Sequence, residues 1–237
     1  MKVSNPFGPA PSRFPAGEVT RCRACPRLVR WREGAAERVP PRFAAWVECR
    51  GFWARPLPAF GDPRAVLAVV GLAPAAQGGN RTGRMFTGDR SGEFLYAALH
   101  RAGLASRPVS EAPDDGLRLR GVLITAAVRC APPQNRPTPE EAARCRPFLR
   151  SDLASLDRVR VVLALGRFAH DAVVALVGPP DRGPRIPAFG HGAEHLLPGN
   201  VRLVDSYHVS QRNTQTGLLT TEAFDAVLRR CRELAAG

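Results

Sequence analysis

Lysine is almost absent from this chain of 237 residues; Lys2 is the only one. The other basic side chains are all arginine, 34 basic groups in total against 21 acidic ones, for a formal charge of +13. A nucleotide-binding loop of the P-loop kind needs Lys-Ser/Thr after its glycines, and no such pair is available. Long apolar runs are missing too. No stretch approaches the roughly 18 apolar residues of a membrane-spanning helix. Pro6, Pro9, Pro11 and Pro15 break up the first 17 residues, so no signal-type apolar segment is expected there. Internal repeats are absent, and no low-complexity segment lies beyond that tail. The expectation is a cytoplasmic monomer with no membrane contact, built as one domain over residues 1–237 with 1–17 as a flexible tail.

What is present suits a globular protein with an anionic partner. At 44% hydrophobic residues the chain can bury one sizeable core. Arginine matches phosphate with a planar, bidentate fork. A basic surplus of this size makes nucleic acid the first partner to consider, because neutralising phosphates releases condensed counterions.

Apolar runs at Ala65–Leu72, Gly121–Val128, Arg158–Leu165 and Val201–Ser206 read as four buried strands. Helices are expected over Cys22–Glu33, Asp89–Ala102, Thr138–Leu149, Arg167–Val177 and Thr221–Ala235. Thr138 with Glu141 spells a capping box. Residues 34–64 and 178–199 read as loop, with Trp46, Phe52, Trp53 and Phe60 covering the core. Strand–helix alternation gives an α/β fold, a mostly parallel four-stranded sheet with helices on both faces. Such sheets bind ligands beyond the carboxyl ends of their strands.

Three sets of residues carry chemistry. Cys22 and Cys25 form a CxxC, and Cys130 and Cys145 have fourteen residues between them. In a reducing compartment these suggest metal rather than disulfides. Four thiolates hold zinc or an iron–sulfur cluster, and spacing does not choose between them. Cys49 and Cys231 read as ordinary packing residues. The second set is the loop Gly71–Asp89, GLAPAAQGGNRTGRMFTGD, which also lacks the dinucleotide pattern GxGxxG. It holds one aromatic (Phe86), one carboxylate (Asp89) and two arginines (Arg81, Arg84). The third set, Tyr207 to Thr214, follows the last strand. Its Ser210, Gln211, Arg212 and Asn213, with Arg84 and Arg136 nearby, suit phosphate contacts.

Together these motifs resemble the uracil-DNA glycosylase superfamily, most closely its family-5 branch. The resemblance rests on Gly71-Leu72-Ala73-Pro74-Ala75 continued by Asn80-Arg81-Thr82-Gly83-Arg84 and Phe86-Thr87-Gly88-Asp89. It rests equally on Arg129-Cys130-Ala131-Pro132-Pro133 with Asn135, and on His208-Val209-Ser210 with Asn213-Thr214. It runs from about Cys22 to the final helix. It implies an α/β/α sandwich, a structural [4Fe-4S] cluster on Cys22, Cys25, Cys130 and Cys145, and removal of uracil and other deaminated bases from DNA.

Such enzymes extrude the base into a pocket. Gly71, Ala73, Ala75 and Phe86 are expected to frame that pocket, with Phe86 as stacking platform. His208 is the candidate to stabilise charge on the pyrimidine O2. Leu72 and Ala73 stand where related glycosylases place a water-orienting polar residue, and neither can accept a proton. That task falls to Asp89, unless Asp89 only caps the following helix. Ala126 stands where other iron–sulfur members carry an asparagine. Asn135 is expected to read the base edge instead, less exactingly, which widens the substrates to hypoxanthine or xanthine. Gln77 stands where relatives often carry histidine, and its role stays open. Two other readings remain at this point: an iron–sulfur redox protein, and a DNA-binding module without chemistry.

Overall fold

The structure is a computed structural model that describes residues 5–8, 14–177 and 188–236. Helices α1 (Ala16–Arg21), α2 (Pro26–Gly34) and α3 (Ala44–Arg50) lead into strands β1 (Phe60–Gly61) and β2 (Leu67–Gly71). Then follow α4 (Gly79–Thr82), α5 (Arg90–Arg101), β3 (Val122–Ala126), α6 (Pro139–Ala154), β4 (Val161–Leu165) and α7 (Arg167–Val177). The chain closes with β5 (Glu194–Leu197), β6 (Val201–Ser206), α8 (Gln211–Gln215) and α9 (Thr221–Ala236). No helix among the described residues is long and apolar enough to cross a membrane.

The sheet has six strands in the order β1-β3-β2-β4-β6-β5, not the expected four. The four expected strands are its parallel centre. The two additions are antiparallel edges. Both escape a reading based on apolar runs. β1 is only two residues long, and β5 is a half-exposed edge whose Leu196 faces solvent.

Side-chain alternation builds the sandwich, since successive residues of a strand point to opposite faces. Leu67 and Val69 of β2, Val122 and Ile124 of β3, and Val161, Leu163 and Leu165 of β4 face a core shared with α5 and α9. Ala68 and Val70, Leu123, and Val162 and Ala164 face the opposite core against α6 and α7. Both sheet faces are buried, which is why the strands read as continuous apolar runs.

Several local expectations change. The helix expected from Cys22 starts only at Pro26, because proline favours the first helical turn and pushes the preceding residue, Cys25, to extended backbone. A helix, α1, precedes it instead and overlaps the end of the expected tail at Ala16 and Gly17. Residues 5–8 of that tail are packed: Phe7 is buried, and the Asn5 amide donates to the carbonyls of Leu153, Ala154 and Leu156. Residues 1–4, 9–13 and 178–187 lie outside the described residues. The capping box at Thr138 and Glu141 is present as expected. Trp53 and Phe60 pack against the core, whereas Trp46 covers Arg81.

Candidate active site

A cavity of about 290 Å³ opens at the carboxyl end of the sheet. That is at the lower end for small-molecule pockets, roughly 300–1,000 Å³. The loop after β2, the loop after β3 and the segment after β6 meet there. Ala73, Ala75, Phe86 and Asp89 line it from the first loop, Asn135 from the second, and His208 and Ser210 from the third. Leu72 and Ala126 also line it and contribute only apolar surface. Pro74, Met85 and Ser91 complete it, and sequence reasoning missed the last two as site residues. The cue for Ser91 was its place in the first turn of α5, directly beyond Asp89.

Glycines shape this cavity by what they leave out. A Cβ on Gly71 would come within 2.7 Å of the Phe86 ring, so Gly71 makes room for the aromatic and is not itself among the lining residues. Phe86 holds a left-handed backbone, φ 52°, which a bulky side chain rarely adopts. Its carbonyl packs on Gly92 of α5, where a Cβ would lie 1.8 Å from the oxygen. Strain of this kind persists only where surrounding structure imposes it. The Phe86 and His208 rings stand 6.3 Å apart across the cavity.

Asp89 has the helix-capping role that the sequence offered as one of its two alternatives. Its Oδ1 accepts from the Gly92 N–H at 2.9 Å, capping α5. Its Oδ2 lies against Gly78, where a Cβ would approach to 1.9 Å. The carboxylate therefore has one oxygen in the cap and one turned toward the loop that frames the cavity. Burial pushes its pKa up, opposed by the backbone N–H groups of Gly92 and Ser91 and, less, by Arg81. A carboxylate raised in this way is a better proton acceptor than an ordinary aspartate.

His208 is half-buried, and desolvation pushes its pKa down to about 4. At neutral pH it is an uncharged imidazole. Its backbone is fixed from both sides. The Asn213 amide donates to the His208 carbonyl at 2.8 Å. His191 stacks on Tyr207 at 4.9 Å and accepts the Tyr207 N–H at 3.2 Å. Asn135 projects from a tight turn in which it and Gln134 both have positive φ.

Among the residues expected to grip DNA, Arg136 and Gln211, next in the chain to the cavity-lining Asn135 and Ser210, are exposed, as is Arg212. Ser210 caps α8, accepting from the Asn213 N–H, and the Asn213 side chain turns inward to His208. Arg84 does not join them. It is buried, ion-paired with Asp115, bonded to the Ala112 carbonyl and laid over the Phe60 ring. Its position in a Gly-rich loop suggested exposure, but Asp115 draws it inside. Gln77 is structural too: its amide donates to the carbonyls of Ala35 and Arg38.

Cys22, Cys25, Cys130 and Cys145 line a second, small apolar cavity between α2, the loop after β3 and α6. Burial pushes the Cys130 thiol up to about 11 and Cys145 up to about 12. As bare thiols they would be neutral and inert. The fully buried Arg32 points its guanidinium among them, donating to the Cys130 Sγ at 3.0 Å and to the Cys22 carbonyl. Its Nε is buried without a partner. A buried cation with an unmet donor fits an anionic thiolate-bound metal centre here. Cys231 is buried elsewhere, on the core face of α9, and Cys49 is exposed.

A further cluster had no sequence cue. Asp205 is fully buried in β6, with the His170 Nδ1 2.8 Å from one oxygen and the His195 Nε2 3.3 Å from the other. It ties α7 and β5 to the strand that delivers His208.

Comparison with known proteins agrees with this arrangement. A family model described as "Uracil DNA glycosylase superfamily" matches residues 58–232. A Type-5 uracil-DNA glycosylase of Thermus thermophilus is 54% identical over 219 residues, 92% of this chain and 95% of that protein. One from Mycobacterium bovis is 49% identical over 218 residues, 92% of this chain and 79% of the relative. One from Pyrobaculum aerophilum is 47% identical over 214 residues, 90% of this chain and 88% of the relative. A six-stranded α/β sandwich, a cavity closed by three motif-bearing loops and these matches across most of the chain lead to one conclusion: the chain belongs to the uracil DNA glycosylase superfamily.

Proposed function

We propose that this protein is a DNA-repair glycosylase that hydrolyses the N-glycosidic bond of uracil in DNA, leaving an abasic site. The observation that carries the reading is the cavity itself, with Phe86, Asp89, Asn135 and His208 converging on one space from three loops.

Breaking this bond leaves positive charge on the sugar and negative charge on the departing base. Phe86 offers the flat face on which an extruded base stacks. The neutral His208 donates to the pyrimidine O2 as charge builds there, with little reorganisation because its backbone is held by Asn213 and by the Tyr207–His191 stack. Asp89, ionised and desolvated, orients the water that attacks the sugar. Asn135 meets the base edge. Cavity walls made by Leu72, Ala73 and Ala126 offer no further polar edge reader. That favours a broader substrate range, with hypoxanthine and xanthine accepted as well as uracil.

The four cysteines would hold a [4Fe-4S] cluster, which fixes α2 against the loop after β3 and α6. The buried Arg32 guanidinium, donating to the Cys130 Sγ with its Nε unpartnered, supports an anionic thiolate-bound centre there. Arg136, Ser210, Gln211, Arg212 and Asn213 form the DNA-facing rim, the last by holding the loop. A monomer is the unit proposed, one chain being enough to supply every group invoked in the base cavity. Thiolate ligation suits a reducing cytoplasm.

The test is incubation of the protein with a uracil-containing duplex, scored for abasic sites. Release of uracil supports the reading, and an unchanged duplex opposes it. Parallel duplexes carrying hypoxanthine or xanthine test the breadth, and strict uracil specificity would remove that part alone.

A further inference from the structure

We infer that a groove beside the base cavity, bounded by Arg42, Phe43 and Arg90, seats the backbone of the damaged strand next to the extruded nucleotide. This rests on the reading of the cavity as a base pocket and adds a strand path to it.

The groove has a volume of about 530 Å³ and shares Ala75 and Asp89 with the base cavity. Extruding a base brings the phosphates on either side of it to the mouth of its pocket. A groove continuous with that mouth lies where the strand must pass. Gln77, from the loop before α4, and Gln211, from α8 on the rim, also line it. The exposed Gln211 amide can hydrogen-bond phosphate or sugar oxygens without regard to sequence, whereas the Gln77 amide is spent on the Ala35 and Arg38 carbonyls.

Its charge suits a polyanion. Arg42 and Arg90 are both exposed, and neither takes part in an ion pair among the described residues. The exposed carboxylate in the groove is Glu93, one turn into α5. The wall is also preformed. The Arg42 guanidinium lies over the Phe43 ring at 4.7 Å, and the same ring receives the buried Arg81 guanidinium at 4.0 Å. Arg81 rests as well on Trp46 at 4.5 Å. Its Nε donates to the Gln77 carbonyl and its Nη2 to the Gly88 carbonyl, bracketing the loop that carries Asp89. The segment Pro41–Trp46 is thereby fixed to the cavity loop through stacked cations and rings, contacts that gain when shielded from water. Arg42 is held where a backbone phosphate would meet it.

The experiment measures binding of a duplex with an uncleavable abasic-site analogue by fluorescence anisotropy across a salt series. The proteins compared are wild type, Arg42→Gln/Arg90→Gln, Arg212→Gln on the rim, and Arg120→Gln/Arg229→Gln. The last pair lines a groove on the far side of the sheet. Each lost phosphate contact flattens the dependence of log affinity on log salt by about 0.9. The Arg42/Arg90 variant is therefore expected to lose about two units of slope and to bind roughly tenfold more weakly at moderate salt. The far-side variant is expected to follow wild type. If Arg212→Gln flattens the slope and the Arg42/Arg90 variant does not, the groove is overturned and the DNA reading stands. Equal losses in the far-side variant would also overturn the groove, since the effect would then be one of overall charge. If wild-type binding shows no salt dependence, the DNA reading falls with it.

Discussion

Asp89 can be tested by a substitution that separates its two oxygens' tasks. Asparagine caps helices about as well as aspartate, so Asp89→Asn keeps the bond to Gly92 while removing the carboxylate charge. On capping alone the unfolding free energy should change by less than about 0.5 kcal/mol. The charge works in the same direction. Burial raises the Asp89 pKa in the folded state. A group raised in this way favours the fold below its unfolded pKa, and that contribution is lost as pH rises through the folded value. At pH 7 the ionised Asp89 is a cost that asparagine removes. The variant should thus be at least as stable as wild type at pH 7, with the difference narrowing toward pH 4. Activity should fall sharply. Positioned acid–base groups typically contribute 10²- to 10⁴-fold, about 3–5 kcal/mol of barrier. Single-turnover cleavage of a uracil duplex, read by alkaline scission at the abasic site between pH 4.5 and 9, measures both effects. Wild type should lose rate on the acid side at a pH above the usual aspartate range, and the variant should show no such limb. Full cleavage by Asp89→Asn would reduce Asp89 to a helix cap and refute the assignment.

His208→Ala should lower the single-turnover rate about 10²- to 10³-fold, the loss typical of one preorganised donor, with duplex affinity little changed. Because burial holds the His208 pKa near 4, its protonation should not limit the rate between pH 6 and 8. Gly71→Ala would place a methyl 2.7 Å from the Phe86 ring. It should displace the ring, raise KM for uracil-DNA and cost about 1–3 kcal/mol of stability by overpacking, seen in urea unfolding. Cys25→Ser should abolish the visible iron–sulfur absorbance and lower the melting temperature, whereas Cys49→Ser should change neither. Protein that is colourless but carries zinc would overturn the cluster assignment.

The centre of the fold was legible because both sheet faces are covered. Burial on two sides turns β2, β3, β4 and β6 into unbroken apolar runs, and Thr138 with Glu141 marks a helix start unambiguously. The edges were not legible. β1 and β5 are held by pairing with a neighbour rather than by their own pattern, and α3 lies in a proline-rich stretch without a clear period. In the site, the motif residues Ala73, Ala75, Phe86, Asp89, Asn135 and His208 do meet in one cavity. What spacing along the chain cannot reveal is which way a side chain turns. Arg84 looked free for phosphate but is neutralised by Asp115, a residue 31 positions away. His170 and Asp205 give no signal at all, since each sits singly in an apolar element and finds the other only through the packing of α7 on the sheet. Asn213 serves His208 from the first turn of α8, although its polar neighbours suggested an outward role.

The central claim is that the cavity between Gly71–Asp89 and His208 cleaves uracil from DNA. The most direct measurement is single-turnover incubation of anaerobically purified, metal-analysed protein with a duplex holding one uracil. The account predicts release of free uracil and one alkali-labile site per uracil, lost in both Asp89→Asn and His208→Ala. A fully metallated, folded protein that leaves the uracil in place, or variants that cleave as fast as wild type, would contradict it.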